Sequence, residues 1–286
     1  MESEREYWDI VIKPHSKRFS LNLSEVWKYR DLVLLYVKRD IITVYKQTIL
    51  GPLWYIIQPV FTAFMYTMVF GNIANIPTDG IPHMIFYMSA QLCWNYFSDC
   101  LGGSSGTFAG NAGVFSKVYF PRLVVPLSNI CSNFFRLCIQ ILIFVAFYLY
   151  FYFDGSNIQP NAHLLLIPYF ILLLAFFGFG VGIIVSSFTT KYRDLGILFG
   201  FLTQLWMYAT PIIYPMSAVP DKIKGLKWII ELNPLTPIVE AVRFACFGVG
   251  QFSWSGILYS SVIILITVLV GVIIFNKVER KFIDTI

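Results

Sequence analysis

The chain has 286 residues, of which 57% are hydrophobic and only 13% are charged, with a formal net charge of +5. An average soluble domain carries about 25% charged residues, so this composition excludes an ordinary soluble protein and indicates an integral membrane protein. Aromatic residues make up 18% of the chain, which fits because Trp and Tyr gather at membrane–water interfaces. The five cysteines show no CxxC pair, so we expect small packing residues and no metal site.

Residues 1–51 are predicted to form a cytoplasmic lead and an amphipathic helix, because no apolar run near the start fits a secretory signal peptide. Apolar residues recur at spacings of three and four, as on one face of a helix: Leu34, Val37, Ile41, Val44, Tyr45 and Ile49. Lys38, Arg39 and Lys46 fall on the other side. Gly51-Pro52 ends the helix, because Pro lacks a donor N–H and disfavours helix in the residue before it. We expect this helix to lie on the membrane surface before the chain first crosses it.

Residues 52–286 are predicted to form an all-α transmembrane domain of six spans. Each apolar stretch is about long enough to cross a hydrocarbon core of ~30 Å at 1.5 Å per residue. The spans are expected near 53–71, 84–101, 126–152, 164–188, 196–214 and 257–275. The run from Gly102 to Gly106 predicts a flexible turn after the second span. Glycines in the fourth span predict close helix packing; they are Gly178, Gly180 and Gly182.

Lys and Arg are distributed unequally along this layout. Sixteen of them fall in the N-terminal part, in 102–123, in 189–195 and in the C-terminal tail, and four fall between the fifth and sixth spans. Cytoplasmic loops carry an excess of Lys and Arg. Both termini are therefore expected in the cytoplasm, with an even number of spans between them.

The segment 215–256 is too apolar for a solvated loop and too rich in proline for a full span. One interpretation is a broken helical pair that dips into the outer leaflet, since such helices are tolerated where protein or a water-filled cavity satisfies the backbone. The other interpretation is an extracytoplasmic loop that lies on the membrane. The sequence leaves both open.

Several classes of function lack their motifs. No glycine is followed by lysine, so the chain has no Walker A phosphate-binding loop. No acidic residue is expected in the middle of a span, where an ion-coupled carrier usually has its ionisable groups. No aspartate cluster of the kind that holds Mg²⁺ is visible. An internal ATPase, an ion-coupled carrier and a metal-dependent membrane transferase are therefore poorly supported.

The stretch from Asn111 to Arg122 reads as a short helix on the cytoplasmic surface, stopped by Pro121. Exposed aromatic side chains at Phe115, Tyr119 and Phe120 would suit docking into a groove of a partner protein. These rings are equally typical of interfacial anchors for the span that follows.

Five motifs in order resemble one family of membrane proteins. They are Tyr45 to Trp54 with Gln58-Pro59, Asn111 to Arg122, Tyr192 to Leu195, Thr210 to Pro215, and Leu232 to Pro237 with Glu240 and Arg243. Together with the six-span layout they are similar to the permease subunits of ABC type-2 polysaccharide exporters, which export O-antigen, capsule or teichoic acid. The resemblance covers about residues 25–280 and points most closely to O-antigen or a related lipid-linked glycan.

The resemblance implies a half-transporter in the bacterial inner membrane. Such permeases are homodimers that bind two copies of a separate ATPase, which binds the ATP and Mg²⁺. No cofactor, catalytic residue or nucleic-acid partner is expected for this chain. The implied substrate is a polyprenyl-diphosphate-linked polysaccharide that passes through a channel between the two permeases.

The resemblance also implies roles for single residues. The helix from Asn111 to Lys117 would couple to the ATPase, and the loop from Lys191 to Asp194 would be a second contact. The expected coupling residues are Asn111, Phe115, Lys117, Tyr119, Lys191, Arg193 and Asp194.

The amphipathic helix resembles a cytoplasmic gate helix that meets the phosphate head of the substrate lipid. Its Lys38, Arg39 and Lys46, and Arg136 within the third span, are the candidate phosphate contacts, since charge-assisted hydrogen bonds suit a diphosphate. The alternatives are attraction of these cations to anionic lipid and, for Arg136, a side chain that reaches to the inner interface.

Aromatic residues are the candidates for lining the glycan channel, because sugars stack their C–H faces on aromatic rings. These candidates are Tyr66, Trp94, Tyr96, Trp206 and Tyr208.

Three other functions stay open. An ABC permease for a drug, a peptide or a lipid shares the layout, although the basic gate helix and the aromatic content favour a glycan. A membrane enzyme acting on the same polyprenyl carrier would turn over without an ATPase, but clustered acids or a His-based dyad are lacking. A membrane anchor that only recruits a partner is the third.

Overall fold

The computed structural model describes residues 23–46, 50–156, 158–192, 194–219 and 224–283, and these contain helices and no β-strand. In chain order the helices are α1 (Leu23–Lys28), α2 (Arg30–Lys46), α3 (Trp54–Tyr66), α4 (His83–Ser105), α5 (Thr107–Phe115), α6 (Val124–Phe153), α7 (Ile167–Thr189), α8 (Leu195–Tyr208), α9 (Lys224–Leu232), α10 (Leu235–Phe247) and α11 (Trp254–Ile283). A π-helical turn, Thr67–Ile73, extends α3, and a 3₁₀ turn, Ala162–Leu166, precedes α7.

Four helical segments are long and apolar enough to cross a membrane: Gly51–Ile73, Val124–Phe153, Ala162–Thr189 and Trp254–Glu279. They coincide with the first, third, fourth and sixth predicted spans. The second predicted span lies within α4, which has 23 residues, most of them buried inside the chain. The all-helical prediction and these helix positions are confirmed.

The predicted fifth span, 196–214, is not helical over its whole length, since α8 ends at Tyr208. Pro211 has no N–H to continue the helix. The side-chain amide of Asn233 also donates to the carbonyl of Ala209 (3.1 Å) and to Thr210 Oγ1 (2.8 Å). The 14 residues of α8 rise about 21 Å, less than the ~30 Å of a hydrocarbon core.

Glycines allow the central helices to approach closely. A Cβ at Gly178 would lie 2.6 Å from the Phe97 carbonyl oxygen of α4, and one at Gly180 would lie 3.1 Å from Val268 of α11. A Cβ at Gly182 would also meet α4, 2.5 Å from Ser104 Cβ. The predicted packing role of these glycines is confirmed, and α7 is held between α4 and α11.

The predicted flexible turn at Gly102 to Gly106 is wrong, because α4 continues through Ser105. Gly103 packs against α6, where the Asn129 side-chain amide donates to the Gly103 carbonyl over 2.9 Å. A Cβ at Gly103 would lie 3.1 Å from the Asn129 Cβ. Gly103 therefore does not interrupt α4; its missing side chain lets α6 pack closely against α4.

The predicted break of the chain at Gly51-Pro52 is a turn in the structure. Gly51 has φ of +47°, a left-handed conformation that glycine adopts at little cost. Pro52 follows in the first turn of the 3₁₀ helix Gly51–Leu53, which leads into α3.

The face of α2 that packs on the protein includes Tyr36, which lies outside the apolar face predicted to rest on the membrane. Tyr36 is 6% exposed, whereas Leu34, expected on the apolar face, is 65% exposed. The orientation follows from two contacts: Tyr36 lies 6.2 Å from the Phe120 ring, and Asp40 Oδ2 accepts a hydrogen bond from Ser132 Oγ over 3.2 Å. Ile49 and the side chain of Tyr45 lie outside the described residues.

The segment between α8 and α11 contains two helices, α9 and α10, as the helical-pair interpretation predicted. Almost every residue of α10 is buried. Arg243, counted above among the four cations of this segment, is 1% exposed. Its charge therefore lies inside the protein and belongs to neither side of the membrane.

Candidate functional site

The helix that carries the first predicted coupling segment, α5, is joined by a hydrogen bond to α7, the helix that precedes the second. The backbone N–H of Phe108, in the first turn of α5, donates to Ser186 Oγ near the end of α7 (3.2 Å). The start of α5 therefore lies beside the C-terminal end of α7, where the loop to α8 begins. The structure brings together two segments that lie 78 positions apart in the sequence.

The end of α5 and the residues after it present an exposed surface. Tyr119 is 70% exposed, and the side chain of Lys117 is exposed as well. Val114 and Val118 add exposed apolar area that the sequence analysis did not single out. Asn111 faces its own helix, since its amide donates to the Thr107 carbonyl over 3.0 Å. We call Val114, Lys117, Val118 and Tyr119 the docking surface.

The second predicted contact, the loop between α7 and α8, is exposed too. Lys191, Tyr192 and Asp194 are all exposed, and the Lys191 ammonium lies 4.9 Å from the centre of the Tyr192 ring. Arg193 lies outside the described residues.

The expected exposure of Phe115 and Phe120 is wrong. Phe115 is 8% exposed, and Phe120 is buried beside it with ring centroids 5.6 Å apart. The Phe108 ring closes the cluster 6.3 Å from Phe115. These rings fill a hydrophobic cluster that holds α5 against α2 and α11. The sequence shows that one side of the segment from Asn111 to Arg122 is apolar. It does not show that other helices of the same chain bury this side.

Arg122 anchors the segment between α5 and α6, and the sequence analysis gave it no role. Its Nη1 donates to the Glu279 carbonyl of α11 (2.7 Å), and its backbone N–H donates to Glu279 Oε1 (3.2 Å). The guanidinium also lies 5.3 Å from the centre of the Phe115 ring. Burial lowers the pKa of Arg122, and the charge of Glu279 opposes that shift. Nothing in the sequence distinguishes Arg122 from other basic residues that precede a membrane span.

The candidate phosphate contacts on α2 differ in how strongly the protein holds them. The side chains of Lys38 and Lys46 are exposed. Arg39 is paired with Asp40, with 2.7 Å between Nη2 and Oδ1, and its guanidinium lies 4.4 Å from the centre of the Tyr36 ring. The basic side of α2 therefore presents two exposed ammonium groups and one positioned guanidinium.

Arg136 is held by an ion pair within the helices. Its Nη1 lies 3.1 Å from Asp99 Oδ2 of α4, and its guanidinium lies 4.9 Å from the centre of the Tyr55 ring of α3. Both charged side chains are partly exposed. A charge within a spanning helix is costly unless it is paired, and Asp99 supplies that partner. Neither predicted alternative, a phosphate contact or a side chain reaching to the interface, included this pair.

The five candidate channel aromatics lie in different environments. Trp94 and Tyr96 are buried inside the single chain and present little surface to a channel. Both lie on α4, which is enclosed by α3, α6 and α7, and their rings fill the core. Tyr66 and Trp206 are half-buried, and Tyr208 is exposed.

The C-terminal ends of α3 and α8 meet at Tyr66, and Trp206 of α8 bonds to the chain before α10. The Tyr66 hydroxyl lies 3.7 Å from the Met207 sulfur, and the Trp206 indole N–H donates to Asn233 Oδ1 over 3.1 Å. The membrane-spanning length of α3 is almost entirely unburied, and no residue of α8 is buried in the described chain. Among the described residues, α3 and α8 thus both present large apolar surfaces that no other helix covers.

A buried ion pair lies at the segment between α8 and α10. Arg243 Nη1 lies 3.0 Å from Glu240 Oε1, and Arg243 Nη2 donates to the Ile212 carbonyl over 2.8 Å. The guanidinium stacks 3.8 Å from the centre of the Phe86 ring of α4. Glu240 Oε2 accepts from the backbone N–H of Gln251 over 3.3 Å. The pair fixes α10, the chain after α8 and the loop before α11 to one another.

Comparison with known proteins identifies the family. A model described as "ABC-2 type transporter" matches residues 31–247. An O-antigen export system permease protein RfbA from Klebsiella pneumoniae is 30% identical over 254 residues, which cover 88% of this chain and 93% of the relative. RfbA from Myxococcus xanthus is 26% identical over 226 residues, covering 77% and 82%. The polysialic acid transport protein KpsM from Escherichia coli is 24% identical over 252 residues, covering 86% and 93%. The chain belongs to the ABC-2 type transporter family.

Proposed function

We propose that this chain is the membrane permease of an ATP-driven exporter of a polyprenyl-diphosphate-linked, O-antigen-like polysaccharide. The observation that carries the proposal is the similarity over 93% of the length of an O-antigen export permease. A relative that transports polysialic acid supports a glycan over a drug or a peptide. The substrate moves from the cytoplasm across the bacterial inner membrane.

In the proposed topology, residues 1–51 stay in the cytoplasm and on the inner membrane surface, and residues 52–286 form six spans with both termini in the cytoplasm. The α4 helix is the second span. The fifth span combines α8 with the chain after it, because α8 alone is too short. The pair of α9 and α10 dips into the outer leaflet, where the ion pair of Glu240 and Arg243 satisfies charges and backbone groups at depth.

The functional unit is a homodimer, and the exposed faces of α3 and α8 support this. A membrane offers no hydrophobic driving force between helices, so close packing and polar contacts hold two copies together. The glycan channel lies between the copies, and Tyr208 is the candidate aromatic that is exposed toward it. Tyr66 and Trp206 stand behind it, where their polar atoms already bond within the chain.

ATP hydrolysis belongs to a separate ATPase, two copies of which bind the dimer. The docking surface after α5 and the loop from Lys191 to Asp194 are the contacts, since both are exposed and lie near the same helix ends. Phe115 acts indirectly in this account, by holding the docking surface against the membrane domain.

The diphosphate of the substrate lipid is bound by Lys38, Arg39 and Lys46 on α2. Arg136 joins them only when the phosphate displaces Asp99 from its 3.1 Å ion pair. This exchange keeps Arg136 paired with an anion but leaves the Asp99 carboxylate without its partner.

The experiment that tests the proposal is affinity purification of the chain from its native membrane in mild detergent, followed by mass spectrometry. A near-stoichiometric protein with a Walker A loop is expected. A folded, dimeric chain that brings no ATPase with it would reopen the enzyme and anchor hypotheses.

A further inference from the structure

An apolar groove of 980 Å³ runs along the outside of the chain between α6 and α7. Both helices pack mainly on α4 and little on each other, so a gap remains between them. Leu127, Ile130 and Phe134 form one wall, Ile171 and Ala175 form the other, and Tyr96 of α4 forms the floor. Because α6 and α7 are long enough to span a membrane, this gap opens into lipid hydrocarbon.

The groove has the length of a lipid chain. Along α6 it extends from Leu127 to Ile141, a rise of about 21 Å at 1.5 Å per residue. Half of a hydrocarbon core of ~30 Å is about 15 Å. Beyond Ile141 the groove continues into a second apolar cavity of 460 Å³, which shares Tyr96, Ile141 and Ile171 with it. An acyl chain from one leaflet therefore fits along the groove without bending back.

The other end of the groove carries a cation. Arg30 at the start of α2 lines the groove together with Trp27, whose ring is exposed. Arg30 Nε lies 3.9 Å from Asp31 Oδ1, too far for a hydrogen bond, so this pair leaves the guanidinium donors available. Trp and Arg at the end of a hydrocarbon groove are the residues expected at the depth of lipid headgroups.

We propose that this groove holds an acyl chain of an anionic phospholipid of the inner leaflet, with the lipid phosphate bound by Arg30. The lipid fills the gap between α6 and α7 and ties the start of α2 to both helices. No residue of α3 or α8 lines the groove, so the groove is separate from the surfaces proposed to form the channel. The proposal rests on the proposed topology, in which α2 lies at the inner surface of the membrane, and it does not depend on the glycan substrate.

Two pairs of variants distinguish the effect of changing the groove from the effect of changing a nearby exposed position. Cys131 is exposed and lines the groove, so Cys131→Trp fills it; Leu142→Trp places the same ring at an exposed position on α6 outside it. Arg30→Ala removes the headgroup cation, and Lys28→Ala removes an exposed neighbouring charge that does not line the groove.

The full chain is purified in detergent with phosphatidylglycerol or phosphatidylcholine, and the lipid retained per chain is counted by native mass spectrometry. Wild type is expected to retain phosphatidylglycerol over phosphatidylcholine. Arg30→Ala lowers the affinity for phosphatidylglycerol about tenfold, as one lost charge-assisted hydrogen bond does. Cys131→Trp lowers retention of both lipids, while Leu142→Trp and Lys28→Ala bind as wild type does.

Three results would overturn the proposal: equal retention of both lipids by wild type, equal retention by all four variants, or recovery of a polyprenyl phosphate lipid in place of the phospholipid. Because Arg30 is an exposed surface residue, its variant tests the site even if Cys131→Trp does not fold. A chain that binds phosphatidylglycerol but copurifies with no ATPase would contradict the proposed function and leave this site standing.

Discussion

Arg243 and Glu240 form an ion pair of 3.0 Å in which both side chains are almost completely buried. The pair reaches well beyond α10, because Arg243 also donates to the carbonyl of Ile212 and Glu240 accepts from the N–H of Gln251. A buried ion pair is weak evidence for stability, but removing one partner leaves an uncompensated charge. The arrangement therefore makes the outer helical pair sensitive to single substitutions.

Glu240→Ala is expected to destabilise the protein by about 3–5 kcal/mol, the usual cost of a broken buried pair. The double variant Glu240→Met with Arg243→Met should be less destabilised, because no charge is left unpaired. Thermal unfolding in detergent measures both, with Glu231→Ala as the control at an exposed position on α9. If the Glu240→Ala variant is as stable as the wild type, the ion pair does not contribute to the stability of the fold.

The aromatic residues near the coupling end should respond differently to truncation. Phe115→Ala removes a buried ring and is expected to cost about 3–5 kcal/mol of stability. Tyr119→Ala with Lys117→Glu changes only exposed side chains, so stability should be kept while ATP hydrolysis stimulated by substrate is lost. Melting temperature and ATPase activity of the assembled complex separate the two effects. Undiminished stimulation in the second variant would remove the docking surface from the account.

The cations of α2 give a third test. Lys38→Ala with Arg39→Ala is expected to lower glycan export while assembly with the ATPase survives, because both side chains lie at the exposed surface of α2. Glycan reaching the cell surface is measured together with the amount of copurified ATPase. Lys28→Ala serves as a control for loss of positive charge alone. Unchanged export in the double variant would rule out these residues as phosphate contacts.

Arg136 and Asp99 allow a structural role to be separated from a phosphate-binding role. If Arg136 binds phosphate, Arg136→Gln should lower export about tenfold, the effect of losing a charge-assisted hydrogen bond. Asp99→Asn should be milder, because it releases the arginine without removing it. Export measured at matched protein levels gives the comparison. Equal loss in both variants would mean that the ion pair serves the fold alone.

Much of the fold could be predicted because its signals are local. The length of an apolar run sets a helix, and Gly51-Pro52 marks the start of the membrane domain. The glycines of α7 predicted close packing because few other reasons place three glycines in one turn and a half of an apolar helix.

The rest depended on contacts that are distant in the sequence. The end of α8 is set partly by Asn233, whose amide bonds to Thr210 across 23 positions. Trp94 and Tyr96 lie in a largely apolar helix, and hydrophobicity alone does not distinguish a buried face from one toward lipid or a channel. Arg122 could not be recognised as an anchor because its partner, Glu279, lies 157 positions away.

Export of a lipid-linked glycan by this chain can be tested through the location of that glycan in the cell. In a strain that lacks the chain, the polyprenyl-diphosphate-linked glycan is quantified on each face of the inner membrane. The account predicts that it accumulates on the cytoplasmic face and disappears from the cell surface, and that wild-type protein restores export. Normal surface glycan in the strain without the chain would contradict the account.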